Sequence, residues 1–158
     1  MTDEINHIGT VHVASLLPRR SFLETPSPFE RKLGYYRGVR HGNHIFISGT
    51  TAVDPTSHVE APQVRYPGDA ARQARVAFSE CIYAVRSLGG DGPNSVVRVR
   101  MFVGRHEDCG AVQTVFREVF GGSEDNLKVG VAATMLVVQN GFVDRDMLVE
   151  VEVDAMAD

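Results

Sequence analysis

Glu150, Glu152 and Asp154 recur at every second position near the end of the chain, alternating with Val149, Val151, Val153 and Ala155. A period of two sends successive side chains to opposite faces of a strand, so the carboxylates share one face, adjacent ones roughly 7 Å apart. A carboxylate held in a partly dry site can take a proton from water or give one to a leaving group, which is general acid–base chemistry. Arg98 and Arg100 share one face of the stretch from Val96 to Val103 in the same way. Rows of carboxylate and guanidinium either pair, within the chain or between copies, or form a solvated sheet face. The residues alone leave both open.

Other chemistries find less support. His41 and His44 have an H-x-x-H spacing but flank a hairpin turn, and no H-E-x-x-H or paired C-x-x-C accompanies them, so no metal is expected. Leu88-Gly89-Gly90-Asp91-Gly92 follows a helix instead of opening one, which makes it a helix stop and not a phosphate cradle. No G-x-S-x-G elbow is present. Cys109 falls near a helix start, where the dipole lowers a thiol pKa, but no base accompanies it, so a packed thiol is the simpler reading.

The elements that must position these groups are legible from periodicity. Tyr35–Arg40 and His44–Ser48 read as a hairpin around His41-Gly42-Asn43, followed by a Pro- and Gly-rich loop over 51–68 with room for one short edge strand. Asp69 is a helix N-cap. Ala71, Ala74, Phe78, Cys81, Val85 and Leu88 follow at three- and four-residue spacing until Gly89-Gly90. Val96–Val103 is a strand. A second helix runs from about Glu107 to Phe120, with Val112, Val115, Phe116, Val119 and Phe120 on one stripe, and strands follow at Ala132–Val138 and Met147–Ala155. The order ββ(β)αβαββ predicts an α+β sandwich with two helices packed on one face of a mixed sheet.

The chain of 158 residues is one domain's worth, with 43% hydrophobic and 23% charged residues. Residues 1–26 read as an N-terminal arm, interrupted by Pro18 and Pro26, and 27–158 as the domain; a lid built on Leu16, Leu17, Phe22 and Leu23 and a loose terminus both remain open. A net charge of −4 argues against nucleic-acid binding, and no apolar run approaches a membrane span. No basic patch followed by an apolar core opens the chain, and two cysteines are too few for a disulfide scaffold, so a cytoplasmic location is expected. The balance hides an asymmetry. Leu17–Arg40 is net basic by four charges, whereas Asp144–Asp158 holds six acids against Arg145.

Ser27-Pro28-Phe29-Glu30, Gly34-Tyr35, Val39-Arg40-x-Gly42-Asn43-x-Ile45-Phe46-Ile47-Ser48-Gly49-Thr50 and Leu148-Val149-Glu150-Val151-Glu152 together resemble the Rid/YjgF family. Gln73, Val97–Val103 and Glu118-Val119-Phe120 fit as well, so the resemblance spans about 27–154. It implies a chorismate-mutase-like fold, assembled as a homotrimer with small-molecule pockets between subunits and no cofactor. Deaminating members hydrolyse imines and enamines from amino-acid breakdown. Carried over by position, the pocket glutamate is Glu150, the tyrosine Tyr35 and the strand-end pair Ser48-Gly49. Gln113 stands where many relatives have Asn.

One position departs from the family pattern. In deaminating members the arginine that grips the substrate carboxylate follows Pro-Ala, but this chain reads Val131-Ala132-Ala133-Thr134-Met135, with Ala133 in the arginine's place. A related branch carries Arg-Pro-Ala-Thr-Thr-Met, and Gly130 occupies that arginine's position. A methyl group cannot replace a bidentate guanidinium–carboxylate pair. A 2-imino acid is therefore an unfavourable substrate, unless a relocated cation such as Lys128 serves. Ala133, Thr134 and Met135 instead predict a drier pocket for a larger, less charged ligand. Three readings follow: an enzyme acting on a neutral imine, enamine or carbonyl compound through Glu150, Tyr35 and Ser48; a non-catalytic binder on the same trimer; or ordinary deamination with a relocated cation.

Overall fold

A computed structural model describes residues 9–13, 20–122 and 129–158. Among the described residues seven strands form one sheet: β1 (Thr10–Val13), β2 (Arg20–Glu24), β3 (Gly38–His41), β4 (His44–Thr50), β5 (Val96–Val103), β6 (Ala132–Val137) and β7 (Val149–Met156). Their spatial order is β1-β2-β3-β4-β7-β5-β6. β5 and β6 run parallel and every other neighbouring pair antiparallel, so the sheet is mixed as expected. Three helices accompany it: α1 (Pro28–Leu33), α2 (Ala70–Ser87) and α3 (Cys109–Phe120).

The core lies between the sheet and α2 with α3. Val149, Val151 and Val153 of β7 are fully buried and meet Ala74, Ala77, Phe78, Cys81 and Val85 of α2. Small residues at 74, 77 and 84 let the helix approach the sheet closely, and Phe78 fills the remaining space edge-on to Phe120, ring centroids 5.9 Å apart. Asp69 caps α2 as predicted, its carboxylate accepting from the Arg72 N–H at 2.9 Å. Gln73, fully buried, holds the entry to β7: its amide donates to the Tyr66 and Asp146 carbonyls, and its Oε1 accepts from the Leu148 N–H at 2.8 Å.

Three differences from the sequence reading matter for the site. β1 and β2 fall within the stretch read as an arm and extend the sheet beyond β3. Leu23 is the reason on β2, since it is buried against the core while Phe22 stacks on Tyr36 across the opposite face, centroids 4.7 Å apart. Leu16, Leu17, Arg19 and Lys128 lie outside the described residues. Pro28 opens α1, although Thr25-Pro26-Ser27-Pro28 reads by sequence as extended chain or turn, because proline is well suited to the first helical turn, whose N–H groups lack partners in any case. Finally, α3 begins at Cys109, preceded by a single 3-10 turn over His106–Asp108.

Candidate active site

The site forms where β4 meets β7. Ile47 pairs with Val153 and Thr50 with Val151, so three steps along β4 match two along β7. The surplus residue makes Ser48-Gly49 a β-bulge, a device that bends a strand and redirects its side chains. Glu150 packs its carboxylate directly against the bulge. A Cβ at Gly49 would collide with that carboxylate, so only glycine lets the backbone come this close. Ser48 turns its hydroxyl to the Tyr36 carbonyl at 2.8 Å, and its N–H bonds the Arg37 carbonyl, which ties the bulge to β3's approach.

The opposite wall comes from α1 and the chain behind it. Gly34 ends α1 in the left-handed conformation, φ 74°, its N–H closing on the Glu30 carbonyl at 2.8 Å. This reversal brings Tyr35 to the site and sets Arg37 against Glu30, both nearly fully buried. Arg37 donates from Nε to Glu30 Oε1 at 3.0 Å, with Nη2 2.9 Å from the same oxygen. Its Nη1 donates to the Gly49 carbonyl at 3.2 Å and to Thr50 Oγ1 at 2.7 Å. Thr25 satisfies the rest of the carboxylate, donating from its N–H to Oε2 at 2.8 Å and from its hydroxyl to Oε1 at 2.5 Å. Buried charge is tolerable here because pairing and hydrogen bonds compensate for lost hydration.

The electrostatics single out Glu150 and Tyr35. Burial first, then the neighbouring Glu152, raise the Glu150 carboxyl above the usual carboxylate range, while Arg37 pulls it partly back. Burial likewise raises the Tyr35 phenol; Arg37 opposes this by charge and by a hydrogen bond, and the Glu30 and Glu150 charges reinforce it. The other carboxylates of β7 have a different fate. Arg100 Nη1 pairs with Glu152 at 3.1 Å and its Nη2 with Asp154 at 2.8 Å. Of the two alternatives the sequence left open, the ion-paired face is the one formed, and it stops short of Glu150. Behind Thr50, burial pushes the Cys81 thiol up to about 12, which keeps it protonated and inert near neutral pH.

A cavity of about 40 Å³ opens beneath Tyr35 and Gly49, lined also by Thr25, Ser27, Arg37 and Thr50. That is water-sized, far below the roughly 300 Å³ at which metabolite pockets begin.

The protomer brings together Tyr35, Ser48, Gly49 and Glu150, and keeps the other expected residues away from them. Gln113 is exposed on α3. Ala133 and Thr134 are exposed on β6, in register with Val99 and Arg100, and Met135 packs against the core. β5 lies between β6 and β7, so two strand spacings of roughly 4.8 Å each separate β6 from Glu150's strand. Gly130 adopts φ 81°, a conformation an arginine would enter only with strain. Sequence reasoning passed over Glu30, Arg37, Thr25 and Thr50. The available signal was Arg37 two residues beyond Tyr35, hence on the same face of extended chain, with an acid seven residues earlier.

An α+β sheet protein with a carboxylate against a strand bulge is the class that these features define. Residues 27–157 match the family described as Endoribonuclease L-PSP, and the chain belongs to this endoribonuclease L-PSP (YjgF/RidA) family. It is 33% identical over 133 residues to an uncharacterized protein of Streptomyces coelicolor, covering 84% of this chain and 89% of that one. Among solved structures it is similar to a Mycobacterium tuberculosis member of the YjgF/YER057c/UK114 family, with TM-score 0.70 and 28% identity over 87% of this chain and 99% of the other. It is also similar to the YjgF gene product of Escherichia coli, with TM-score 0.61 and 25% identity over 78% of this chain and 88% of the other.

Proposed function

We propose that the chain is a cofactor-independent hydrolase for a neutral imine, enamine or related carbonyl compound, working in clefts shared between the subunits of a homotrimer. The observation that carries this reading is the Glu150 carboxyl, half-buried against the Gly49 bulge, raised toward its protonated form, and outside the Arg100 ion-pair cluster. Such a group exchanges protons near neutral pH more readily than an ordinary surface carboxylate.

In the proposed reaction, Glu150 orients a water and takes its proton as oxygen attacks the imine carbon. The C=N bond becomes C–N, and Glu150 passes that proton to the nitrogen. In the collapse Glu150 takes the hydroxyl proton and returns it to the amine, so that C=O forms as C–N breaks and ammonia leaves. The Tyr35 hydroxyl can donate to the developing oxygen, and Ser48 Oγ, whose own proton goes to the Tyr36 carbonyl, can accept from the imine N–H. Enamines enter by the same route after protonation at carbon.

Arg37 does not stand in for the missing carboxylate clamp. Its Nε and Nη2 serve Glu30 and its Nη1 serves Gly49 and Thr50, so its charge is already compensated within the protomer. With Ala133 in the clamp's place, a substrate carboxylate would depend on a relocated cation, and Arg31 of α1, which lines a cavity with Tyr35, already gives Nη2 to the Pro26 carbonyl. One feature supports assembly: the helix-free face of the sheet exposes Phe46, Leu136 and Met156. The family description names an endoribonuclease, but a net charge of −4 offers little for a phosphate backbone.

The test is ammonia release from a panel of carboxylate-free imines, with Glu150→Gln alongside. Turnover above the uncatalysed rate should fall at least 100-fold in the variant, while sedimentation still gives three times the 17.3 kDa chain mass. Undiminished turnover would remove Glu150 from the reaction. Absence of turnover in both proteins, with ligands that still raise the melting temperature, would establish a binder instead.

A further inference from the structure

The Glu30–Arg37 pair is an expensive feature to bury, and apolar residues of similar volume often serve stability as well or better. Its bonds show where it acts. Glu30 and Thr25 lock one edge of the guanidinium, and the other edge reaches the Gly49 carbonyl and Thr50 Oγ1, the two residues that follow Ser48 through the bulge. Thr50 passes the connection on, its hydroxyl donating to the Ser48 carbonyl at 2.7 Å. Arg37 also lines one cavity with Tyr35 and acts on it by charge, so one side chain faces the tyrosine and holds the backbone against which Glu150 rests.

We propose that Arg37, fixed by Glu30 and Thr25, is a positioning residue that sets the geometry and protonation balance of the Tyr35–Glu150 pair. This rests on the reading of Glu150 as the acid–base group. It differs from a carboxylate clamp in that Arg37 acts through the bulge and the tyrosine and leaves the substrate untouched. The charged and titratable groups facing Glu150 are Glu152 on its own strand and Arg37 and Tyr35 on the segment before β3, with Glu30 of α1 behind Arg37. Arg37 is the cation of this set, so its removal leaves three acidic groups, and Glu150 must hold its proton to higher pH.

The experiment is a carbon-13 NMR titration of side-chain-labelled glutamate, with the Glu150 signal assigned from its loss in Glu150→Gln. Arg37→Met should move the Glu150 midpoint upward, and Arg37→Lys should bring it back toward that of the unmodified protein. Removing only one partner of a buried pair threatens folding, so the neutral double variant Glu30→Gln/Arg37→Gln provides a second test, with a smaller upward movement expected. A Glu150 midpoint unchanged in any folded variant lacking the Arg37 charge would overturn the proposal and leave Arg37 a purely structural residue. The titration needs no substrate. A shifted midpoint in a protein that hydrolyses no imine would retain the positioning role and discard the proposed reaction, and an unmoved midpoint in an active protein would do the reverse.

Discussion

Glu150 and Gly49 share one constraint, in which a carboxylate keeps its place only because the facing residue has no side chain. Gly49→Ala therefore displaces the carboxylate. The raised Glu150 pKa also has a stability consequence. A group that holds its proton more tightly in the folded state contributes stability below its unfolded pKa and loses it as pH rises through the folded value. Glu150→Gln, which carries no charge to bury, should thus melt at a higher temperature than the unmodified protein near neutral pH, and the gap should close toward about pH 4. Thermal melts across that range check this, and a variant that melts lower at neutral pH would contradict it. Glu150 was legible in the sequence through period-two alternation and the family resemblance, Tyr35 and Gly49 through the resemblance alone. Arg37 and Glu30 were hidden for a physical reason. Their pairing depends on α1 and the left-handed turn at Gly34, and a Thr-Pro-Ser-Pro run does not announce a helix.

Among the elements, α2, β5 and β7 carry strong uninterrupted periodicity, and their positions in the fold agree with their sequence boundaries to within two residues. β2 was missed because five residues hold too few alternations to stand out, and its place depends on pairing with β3. Pairing is a tertiary fact that local pattern does not contain. The link between α2 and β7 shows how an element positions the proposed acid–base group. Gln73 secures the Leu148 N–H two residues before Glu150, and through Tyr66 and Asp146 it gathers the loops on either side. Gln73→Leu preserves volume and strands the Leu148 N–H and the Asp146 carbonyl, the Tyr66 carbonyl keeping the Asp69 N–H; each stranded group is worth roughly 1–3 kcal/mol when buried without a partner. The expected loss in urea unfolding is about 2 kcal/mol or more. A loss below about 1 kcal/mol, the typical effect of removing a helix cap such as Asp69, would show that water replaces the amide.

At the scale of the molecule, the two faces of the sheet divide the work. One buries the core under α2 and α3; the other bears the Arg100–Glu152–Asp154 cluster amid exposed Phe46 and Leu136. The mixed sheet and its helices were legible because they rest on periodicity and chain order. The completeness of the site was not, because Ala133 and Thr134 sit two strands away from Glu150 in the same chain. If the cleft is shared between subunits as proposed, alanine in place of a guanidinium on β6 makes it favour uncharged ligands. The comparison that tests this most directly uses 2-iminobutanoate, generated in situ, and a carboxylate-free imine of the same chain length. With the uncatalysed rates subtracted, kcat/KM for ammonia release should be at least tenfold higher for the carboxylate-free imine, a preference of about 1.4 kcal/mol in transition-state binding. Equal or faster hydrolysis of 2-iminobutanoate would contradict the account and require a carboxylate-binding cation elsewhere in the assembled cleft.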